Sequence, residues 1–435
     1  MMARSFFGVF ALAFVATLPA GAVTIEQITT PAGINVWLVQ DHTSPIISMS
    51  ASIAGGSSLD PDDKAGLANE VADLLDEGAG DLDSQAFQGK LNDLAIHMSF
   101  DAGHDTFDIV LKTLTENRDT AFSMLGLALT KPHFDADAIE RVRAQELAAL
   151  AQELESPHSI AGRALAKLLF PTHPYGRPNN GEPDTVKAIT RDDLVTWPTR
   201  HLGRDTLTVS VVGDVTADQL KPLVDAAFGG LPEKADPVDV ADVEPAAGGK
   251  TEVIRRSFPQ SVASFAELGV KRSDPDWYAA YVMNHILGGG GFSSRLMHEV
   301  REKRGLAYDT ESYLAPRDHA GLIGGGVGTR NDRMAESLSV IRHEWQRMAD
   351  EGVTAAELEA AKKYLNGSFP LQLSSTGALA GLLTVVQRDK LGLDYLDRRH
   401  HLIDAVTIAD VRRVAKRLLR PDALVTVVVG DPKGM

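Results

Sequence analysis

The segment Leu207-Thr-Val-Ser-Val-Val-Gly-Asp214 decides the fold, because it returns as Leu424-Val-Thr-Val-Val-Val-Gly-Asp431, 217 residues later. Both copies are apolar, β-branched runs that end in Gly-Asp, which is the pattern of a buried strand followed by a turn. The same offset holds without a gap upstream, over about 27 residues in all. A match of this length at a fixed offset indicates an internal repeat. We therefore expect two homologous halves.

A capped helix is predicted ahead of each copy of the strand. Ala188-Ile-Thr190 matches Ala405-Val-Thr407, and Asp193 matches Asp410. Threonine is a preferred N-cap residue, and an acidic residue three positions later supports the first turn. Each repeat unit therefore predicts a threonine-capped helix, a short loop and an apolar strand.

Strands and long helices are mixed in both halves. The clearest patterns predict strands at 46–53 and 107–111 and helices at 136–154, 277–287, 333–350 and 355–365. We expect an α+β fold in which each half is an antiparallel or mixed β-sheet with helices packed on one face. The predicted halves span residues 23–232 and 251–435. Residues 233–250, EKADPVDVADVEPAAGGK, have the composition of an extended linker.

The first 22 residues have the pattern of a signal peptide. Arg4 precedes an apolar run at 6–18, Pro19 breaks the run, and Ala20-Gly21-Ala22 matches a signal-peptidase site. The run is too short for a membrane span, which needs about 20 residues. We expect cleavage after Ala22, export to a periplasm-type compartment and no stable membrane insertion. An uncleaved membrane anchor is the alternative.

Composition narrows the classes of function. The chain has no cysteine, which excludes disulfides, thiolate catalysis and cysteine-ligated metals. Its net charge of −16 argues against a nucleic-acid partner, which would require a basic surface. A mature length of about 413 residues is long enough for two hydrophobic cores.

The first half contains a strand, a turn and a helix in a characteristic order. Ile53-Ala-Gly-Gly-Ser-Ser-Leu-Asp60 is followed by Gly66-Leu67-Ala68 and then by Asn69-Glu70-Val71-Ala72-Asp73. This order resembles the pitrilysin/insulinase family of inverted-motif zinc peptidases, which includes mitochondrial-processing-peptidase-like proteins. In that family the helix carries H-x-x-E-H. By this resemblance, Asn69 and Asp73 occupy the two histidine positions, and Ala72 occupies that of the catalytic glutamate.

The third zinc ligand of the family is a glutamate on a later helix, some 76 residues past the second histidine. In this chain that count leads to Ala149, with Glu146 three residues away. The resemblance therefore implies that all four key groups are replaced. No two histidines are four residues apart, so neither H-x-x-E-H nor H-E-x-x-H occurs.

The replaced positions predict that this chain binds no metal. Asn69 and Asp73 share a helical face, and Asp73 could ligate a hard cation. Two weak ligands do not hold a metal, however, so we interpret these residues as a solvated polar stripe. The zinc is then expected in a partner subunit.

The second half contains a glycine run, Leu287-Gly-Gly-Gly-Gly-Phe-Ser-Ser-Arg-Leu296. The run indicates a helix end and a close backbone approach. A phosphate cradle is disfavoured, because the Gly-Lys-Ser/Thr ending of a P-loop is missing. The block that follows, R-E-K-R-G-L-A-Y, resembles the family's Arg-x6-Tyr signature at Arg301 and Tyr308. The resemblance implies that both residues bind substrate and stabilise an oxyanion. The alternative places Arg301 in a surface pair and Tyr308 in the core.

By this resemblance, the chain carries the Arg/Tyr part of an active site and lacks the zinc-binding part. Some members of the family consist of two short chains, of which one carries zinc and the other carries the Arg/Tyr pair. We expect this chain to be the non-zinc subunit of an exported heterodimeric metallopeptidase. Its partners would be a zinc-bearing homologous subunit and an unfolded or extended peptide. A non-catalytic structural or binding paralogue, or a peptidase with a relocated metal, remain the alternatives.

Overall fold

The structure is a computed structural model that describes residues 23–237 and 239–435. The predicted signal peptide, residues 1–22, lies outside the described residues. The strands form two mixed sheets. They are β1 (Glu26–Thr29), β2 (Asn35–Gln40), β3 (Ile46–Ala54), β4 (His97–Ala102), β5 (Thr106–Leu114), β6 (Thr208–Gly213), β7 (Thr251–Arg255), β8 (Gln260–Leu268), β9 (Ala307–Pro316), β10 (Gly321–Arg330) and β11 (Val425–Gly430).

The helices lie between the strands in both halves. They are α1 (Leu67–Leu74), α2 (Ser84–Asp93), α3 (Arg118–Thr130), α4 (Ala136–Glu153), α5 (Pro157–Leu169), α6 (Pro183–Ala188), α7 (Arg191–His201), α8 (Ala217–Phe228), α9 (Trp277–Asn284), α10 (Met334–Glu351), α11 (Ala355–Ser368), α12 (Thr376–Arg388), α13 (Tyr395–Asp404) and α14 (Ile408–Leu418).

The internal repeat of the sequence is a repeat of sheet topology. The first sheet has the order β1-β2-β6-β3-β5-β4 and the second the order β7-β11-β8-β10-β9. If the edge strand β1 is set aside, the two orders correspond strand by strand. Only β2 with β6 and β7 with β11 pair in parallel. The repeated strands, β6 and β11, thus occupy the same place, and the prediction of two homologous α+β halves is confirmed.

The predicted helix caps are also repeated. Thr190 caps α7 by accepting a hydrogen bond from the backbone N–H of Asp193, and Thr407 caps α14 in the same way from Asp410. In both cases the acidic side chain accepts a hydrogen bond from the N–H of the capping threonine, which completes a capping box. Local sequence therefore fixes the start of both helices.

Each sheet buries one face under helices of its own half. Phe107 and Phe122 belong to the core of the first half, and Phe265 and Trp345 to that of the second. Trp345 is fully buried, and its indole N–H donates to Glu267 at 2.7 Å. The polar atom of this large core side chain is therefore satisfied.

The two halves exchange a helix across their other faces, a feature that the sequence pattern did not predict. From the first half, α5 packs on β8 and β11 of the second sheet, and Leu165 and Val427 belong to one buried apolar cluster there. From the second half, α12 packs on β3 and β6 of the first sheet, and Leu383 and Val212 belong to another such cluster. The strands β6 and β11 are buried on both faces, because both faces are covered.

A polar cluster joins the halves beside α5. Tyr175 is fully buried, and its hydroxyl donates to Asp105 at 2.6 Å and accepts from the backbone N–H of His319 at 2.9 Å. The guanidinium of Arg317 lies 4.6 Å from the centre of the Tyr175 ring. Residues of both halves thus share one buried phenol.

Residues 233–250 contain no helix or strand in their described part. They run along the surface, and Val243 and Ala246 donate backbone hydrogen bonds to His319 and Leu169. The boundaries at 232 and 251 stay predictions. No single helix in the described part of the chain has the length and apolar character to cross a membrane. The helical segments 355–373 and 376–388 reach that length and apolar character only when they are taken together, and the chain bends by 117° between them.

Candidate functional site

The residues at the expected zinc positions lie between α1 and α4. Asn69 and Asp73 are one turn apart on α1, and the Asn69 amide donates to Asp73 Oδ2 and to Glu146 Oε1, both at 3.3 Å. Asn69, Asp73, Glu146 and Ala149 line one cavity of about 420 Å³. The polar stripe of α1 therefore faces the carboxyl group of Glu146 on α4, although the count along the chain leads to Ala149, three residues away.

The two alanines are placed differently. Ala72 is 3% exposed and packs in the core of the first half. Ala149 lies at the wall of the cavity and is solvent-exposed. Neither methyl group can act as a ligand or as an acid/base. The roles assigned to these positions by resemblance stay predictions.

Carboxyl groups crowd this region. Glu70 is fully buried and pairs with Arg143 at 2.8 Å. Burial raises the pKa of Glu70 to about 7, against the opposing effect of the Arg143 charge. Burial, together with the charges of Glu70 and Asp73, raises the pKa of Glu146 to about 8. At neutral pH, Glu146 is thus largely a neutral carboxylic acid that can share its proton with Asp73.

This chemistry does not fit a hydrolytic zinc. Such a site needs three nitrogen or oxygen ligands at about 2.0–2.2 Å and a carboxylate beside the metal-bound water. Here an amide and two carboxyl groups, one of them protonated, hydrogen-bond to one another, and the acid/base position is Ala72. Throughout residues 23–237 and 239–435, no group of three His, Cys, Asp or Glu side chains could hold a metal ion.

In the second half, the glycine run allows a close backbone approach. A Cβ on Gly288 would lie 2.4 Å from the backbone nitrogen of Ser312 in β9, so no larger residue fits. The helical chain widens into a π-helical turn at His285–Gly289, and a second π-helical turn spans Met297–Glu302. Such turns are frequent at functional sites. Gly288 and Gly289 thus pack this segment against β9.

Two backbone features place Arg301 and Tyr308. Arg301 lies in the second π-helical turn, and Gly305, three residues after the end of that turn, takes a positive φ of 57° and redirects the chain into β9. A β-bulge between Gly328 and Thr329 of β10 leaves Tyr308 as the extra residue of β9. A bulge re-aims a side chain, and Tyr308 is 80% exposed as a result.

Arg301 is held between two aromatic rings. Its guanidinium carbon is 4.4 Å from the centre of the Tyr308 ring and 4.6 Å from that of Phe292. Phe292 is 66% exposed and was not singled out from the sequence, although it follows the glycine run directly. Arg301 makes no ion pair with any described residue. The pair therefore lies neither in a surface ion pair nor in the core.

The neighbouring charges are paired with one another and leave Arg301 free. Glu299 accepts from Lys303 at 2.7 Å and from Arg304 at 2.6 Å. Burial opposes ionisation of Glu299, but these two hydrogen bonds outweigh it and lower its pKa to about 2. The exposed stack of Phe292, Arg301 and Tyr308 can bind an anionic or carbonyl oxygen through the guanidinium edge and the phenol O–H.

Comparisons with known proteins agree with this geometry. Residues 188–365 match the model of the peptidase M16 inactive domain. The non-peptidase homolog YmxG of Helicobacter pylori is 29% identical, with 82% of each chain covered. An uncharacterized zinc protease of Streptomyces coelicolor is 32% identical over 67% of this chain and 64% of its own length. A crystal structure of a peptidase M16 inactive domain from Pseudomonas fluorescens superposes with a TM-score of 0.88 and 28% identity, covering 94% of this chain and 98% of that one. The chain is therefore similar to members of the peptidase M16 family, the pitrilysin/insulinase family of the sequence analysis, and its residues 188–365 match the model of that family's inactive domain.

Proposed function

We propose that this chain is the non-zinc subunit of an exported heterodimeric metallopeptidase and supplies Arg301 and Tyr308 in trans to a zinc-bearing partner. The observation that carries the proposal is the exposed stack of these two residues. A guanidinium and a phenol that served only the fold would be buried or paired. Tyr308 is instead 80% exposed, and Arg301 has no acidic partner in the described part of the chain.

The chemistry required of the stack is electrostatic. Zinc in the partner would polarise the scissile carbonyl of a bound peptide. Arg301 and Tyr308 would then donate hydrogen bonds to the oxyanion that develops, and removal of one such donor costs about 10²–10³ in kcat. The first half supplies no competing site, because Asn69, Ala72 and Asp73 do not fit zinc. A zinc site in the partner and the Arg301/Tyr308 pair in this chain would account both for the absent zinc ligands of the first half and for the exposed phenol of the second.

The names of the relatives are relevant to the choice between a peptidase subunit and a non-catalytic paralogue. One relative is named a non-peptidase homolog and another a zinc protease, so the family includes both kinds of chain. A structural or binding paralogue would need no exposed Arg301 and Tyr308. Export rests on the signal-peptide pattern of residues 1–22.

The test is reconstitution. The purified chain is mixed with a family member that retains H-x-x-E-H, and hydrolysis of a quenched fluorescent peptide is followed. We expect no activity from this chain alone, stoichiometric zinc only in the partner, and activity that rises until the two chains are equimolar. Stoichiometric zinc in this chain after dialysis would show a relocated metal. A tight complex without activity would show a structural paralogue.

A further inference from the structure

The buried phenol of Tyr175 is surrounded by basic side chains from both halves. From the first half, the ring centres of His104 and His173 lie 5.4 Å and 4.5 Å from that of Tyr175. From the second half, the guanidinium carbon of Arg317 lies 4.6 Å and the ring centre of His319 lies 6.2 Å from it. We call these five residues the Tyr175 cluster.

The carboxylate that contacts Tyr175 is already engaged. Asp105 accepts a hydrogen bond from the Tyr175 hydroxyl at 2.6 Å and another from the backbone N–H of Asp318 at 3.1 Å. Arg317 lies over the rings of Tyr175 and Phe170 and makes no ion pair with any described residue. A second positive charge beside Arg317 would therefore have to share the carboxylate of Asp105.

His104 is the member of the cluster that a proton would disturb most. It lies in the turn between β4 and β5, partly buried, with its Nδ1 3.3 Å from the hydroxyl oxygen of Ser57. Burial, together with the positive charges of Arg317 and Arg177, lowers the pKa of His104 to about 3. The ring is thus neutral at neutral pH, and its charged form would lie in a poorly solvated site near two guanidinium groups.

The other titratable groups of this region have different surroundings. Burial also lowers the pKa of His173, against the opposing charge of Asp105. His319 Nδ1 lies 3.4 Å from Asp242, so a proton on this ring has a carboxylate beside it. Burial and the charge of Asp105 raise the pKa of Asp318, which acts in the direction opposite to His104. The remaining charged or titratable neighbours are Asp62, paired with Arg177, Lys271, paired with Asp242, and Tyr313, Arg388 and Asp389.

We propose that the Tyr175 cluster is an acid-sensitive latch between the two halves. Protonation of His104 places a positive charge of the first half on the same phenol ring as Arg317 of the second half, and it releases the turn between β9 and β10. Two backbone N–H groups of that turn donate to Asp105 and to the Tyr175 hydroxyl, and these are the bonds that open. The exchanged helices α5 and α12 are not part of the cluster and keep the halves together.

The direction of the pH dependence follows from the surroundings of His104. Its pKa is about 3 when the latch is closed and near the usual 6.5 of histidine when the latch is open. The closed latch therefore binds fewer protons, so its stability is complete above about pH 6.5 and is lost progressively as the pH falls toward 3. For this group alone, the equilibrium constant for opening rises about tenfold between pH 7.5 and pH 5.5.

The test is amide hydrogen exchange of the purified full chain, followed by mass spectrometry at pH 7.5 and pH 5.5. Labelling times are scaled to the intrinsic exchange rate at each pH. Peptides that contain residues 317–320 report on the latch, because two amides of this turn donate to the first half. We expect their protection to fall by about tenfold at pH 5.5. A local measurement is needed, since Glu146 titrates in the same range and changes the global stability.

One variant and two controls assign the effect to His104. His104→Gln keeps a polar side chain and removes the titration, so the fall in protection should shrink to about threefold or less. His97→Gln changes an exposed histidine of β4 and should leave the fall as it is in the parent chain. The amides of β11, in the core of the second sheet, should lose no protection at pH 5.5 in any of these proteins.

Three results would contradict the proposal. Equal falls in the parent chain and in His104→Gln would exclude His104 as the switch. A fall of less than about twofold in the parent chain would overturn the latch, whether or not the variant folds. Loss of protection in β11 together with the turn would show that the second half unfolds as a whole, which is incompatible with a local latch.

Discussion

The two halves share one topology but present opposite surfaces where a substrate would lie. In the first half, Asn69 at one of the expected zinc positions donates hydrogen bonds to Asp73 at the other and to Glu146. In the second half, the exposed rings of Phe292 and Tyr308 flank the guanidinium of Arg301. A repeated fold therefore does not repeat a site. Function resides in the side chains that one copy keeps and the other replaces.

The largest expected effect separates the two tyrosines of β9. Tyr308→Phe removes only the phenol O–H, and we expect a loss of about 10²-fold in the kcat of the reconstituted peptidase. The matched control is Tyr313→Phe, which removes a hydroxyl five residues along the same strand and should lower kcat less than threefold. Equal losses in the two variants would contradict the role of Tyr308.

The second effect tests the exchange of helices between the halves. Leu383 of α12 is fully buried against the first sheet, so Leu383→Ala should lower the free energy of unfolding by about 2–4 kcal/mol. Val385 on the same helix is 41% exposed, and Val385→Ala should cost less than about 0.5 kcal/mol. Urea denaturation measures both. A small effect at Leu383 would show that α12 does not hold the halves together.

A third effect concerns the carboxyl cluster of the first half. The pKa of Glu146 is about 8 in the folded chain and near its usual 4.5 in the unfolded chain. Between these values the folded chain binds more protons, so this group makes the free energy of unfolding fall as pH rises. Its effect is absent below about pH 4.5 and complete above about pH 8.

Glu146→Gln removes this titration. We expect the variant to be more stable than the parent chain by about 1–2 kcal/mol at pH 8 and nearly equal to it at pH 5. Urea denaturation at the two pH values provides the measurement, with the exposed Glu311→Gln as the control. A destabilised variant at pH 8 would mean that the Glu146 carboxylate is needed for the fold.

The smallest expected effect tests Phe292. An exposed cation–π contact contributes about 0.5–1 kcal/mol, so Phe292→Ala should lower kcat/KM of the reconstituted enzyme about two- to fivefold. Phe292→Tyr retains the ring face and should restore the parent value. A loss in both variants would mean that Phe292 acts by its shape and not through the guanidinium of Arg301.

Much of the fold follows from local signals in the sequence. The predicted helices at 136–154 and 333–350 correspond to α4 and α10 within one residue at each end, because amphipathic periodicity is a local signal. The sequence repeat at a fixed offset predicted the two homologous halves. The exchange of α5 and α12 could not be predicted, since the amphipathic pattern of a helix does not specify the sheet on which it packs.

The sites were predictable to different degrees. Arg301 and Tyr308 were found by the spacing of a motif, but the bulge that exposes Tyr308 depends on the register of two strands. The count along the chain led to Ala149, whereas the packing of α4 on α1 brings Glu146 to Asn69.

The most direct test of the proposal that Arg301 acts in trans on a zinc site in the partner compares one variant from each half in the reconstituted peptidase. Arg301→Ala and Asn69→Ala are each mixed with the same zinc-bearing relative, and kcat is measured at equimolar ratio, with complex formation established by size-exclusion chromatography. We expect a loss of at least about 10²-fold for Arg301→Ala and less than about twofold for Asn69→Ala. An Arg301→Ala complex with full activity would contradict it.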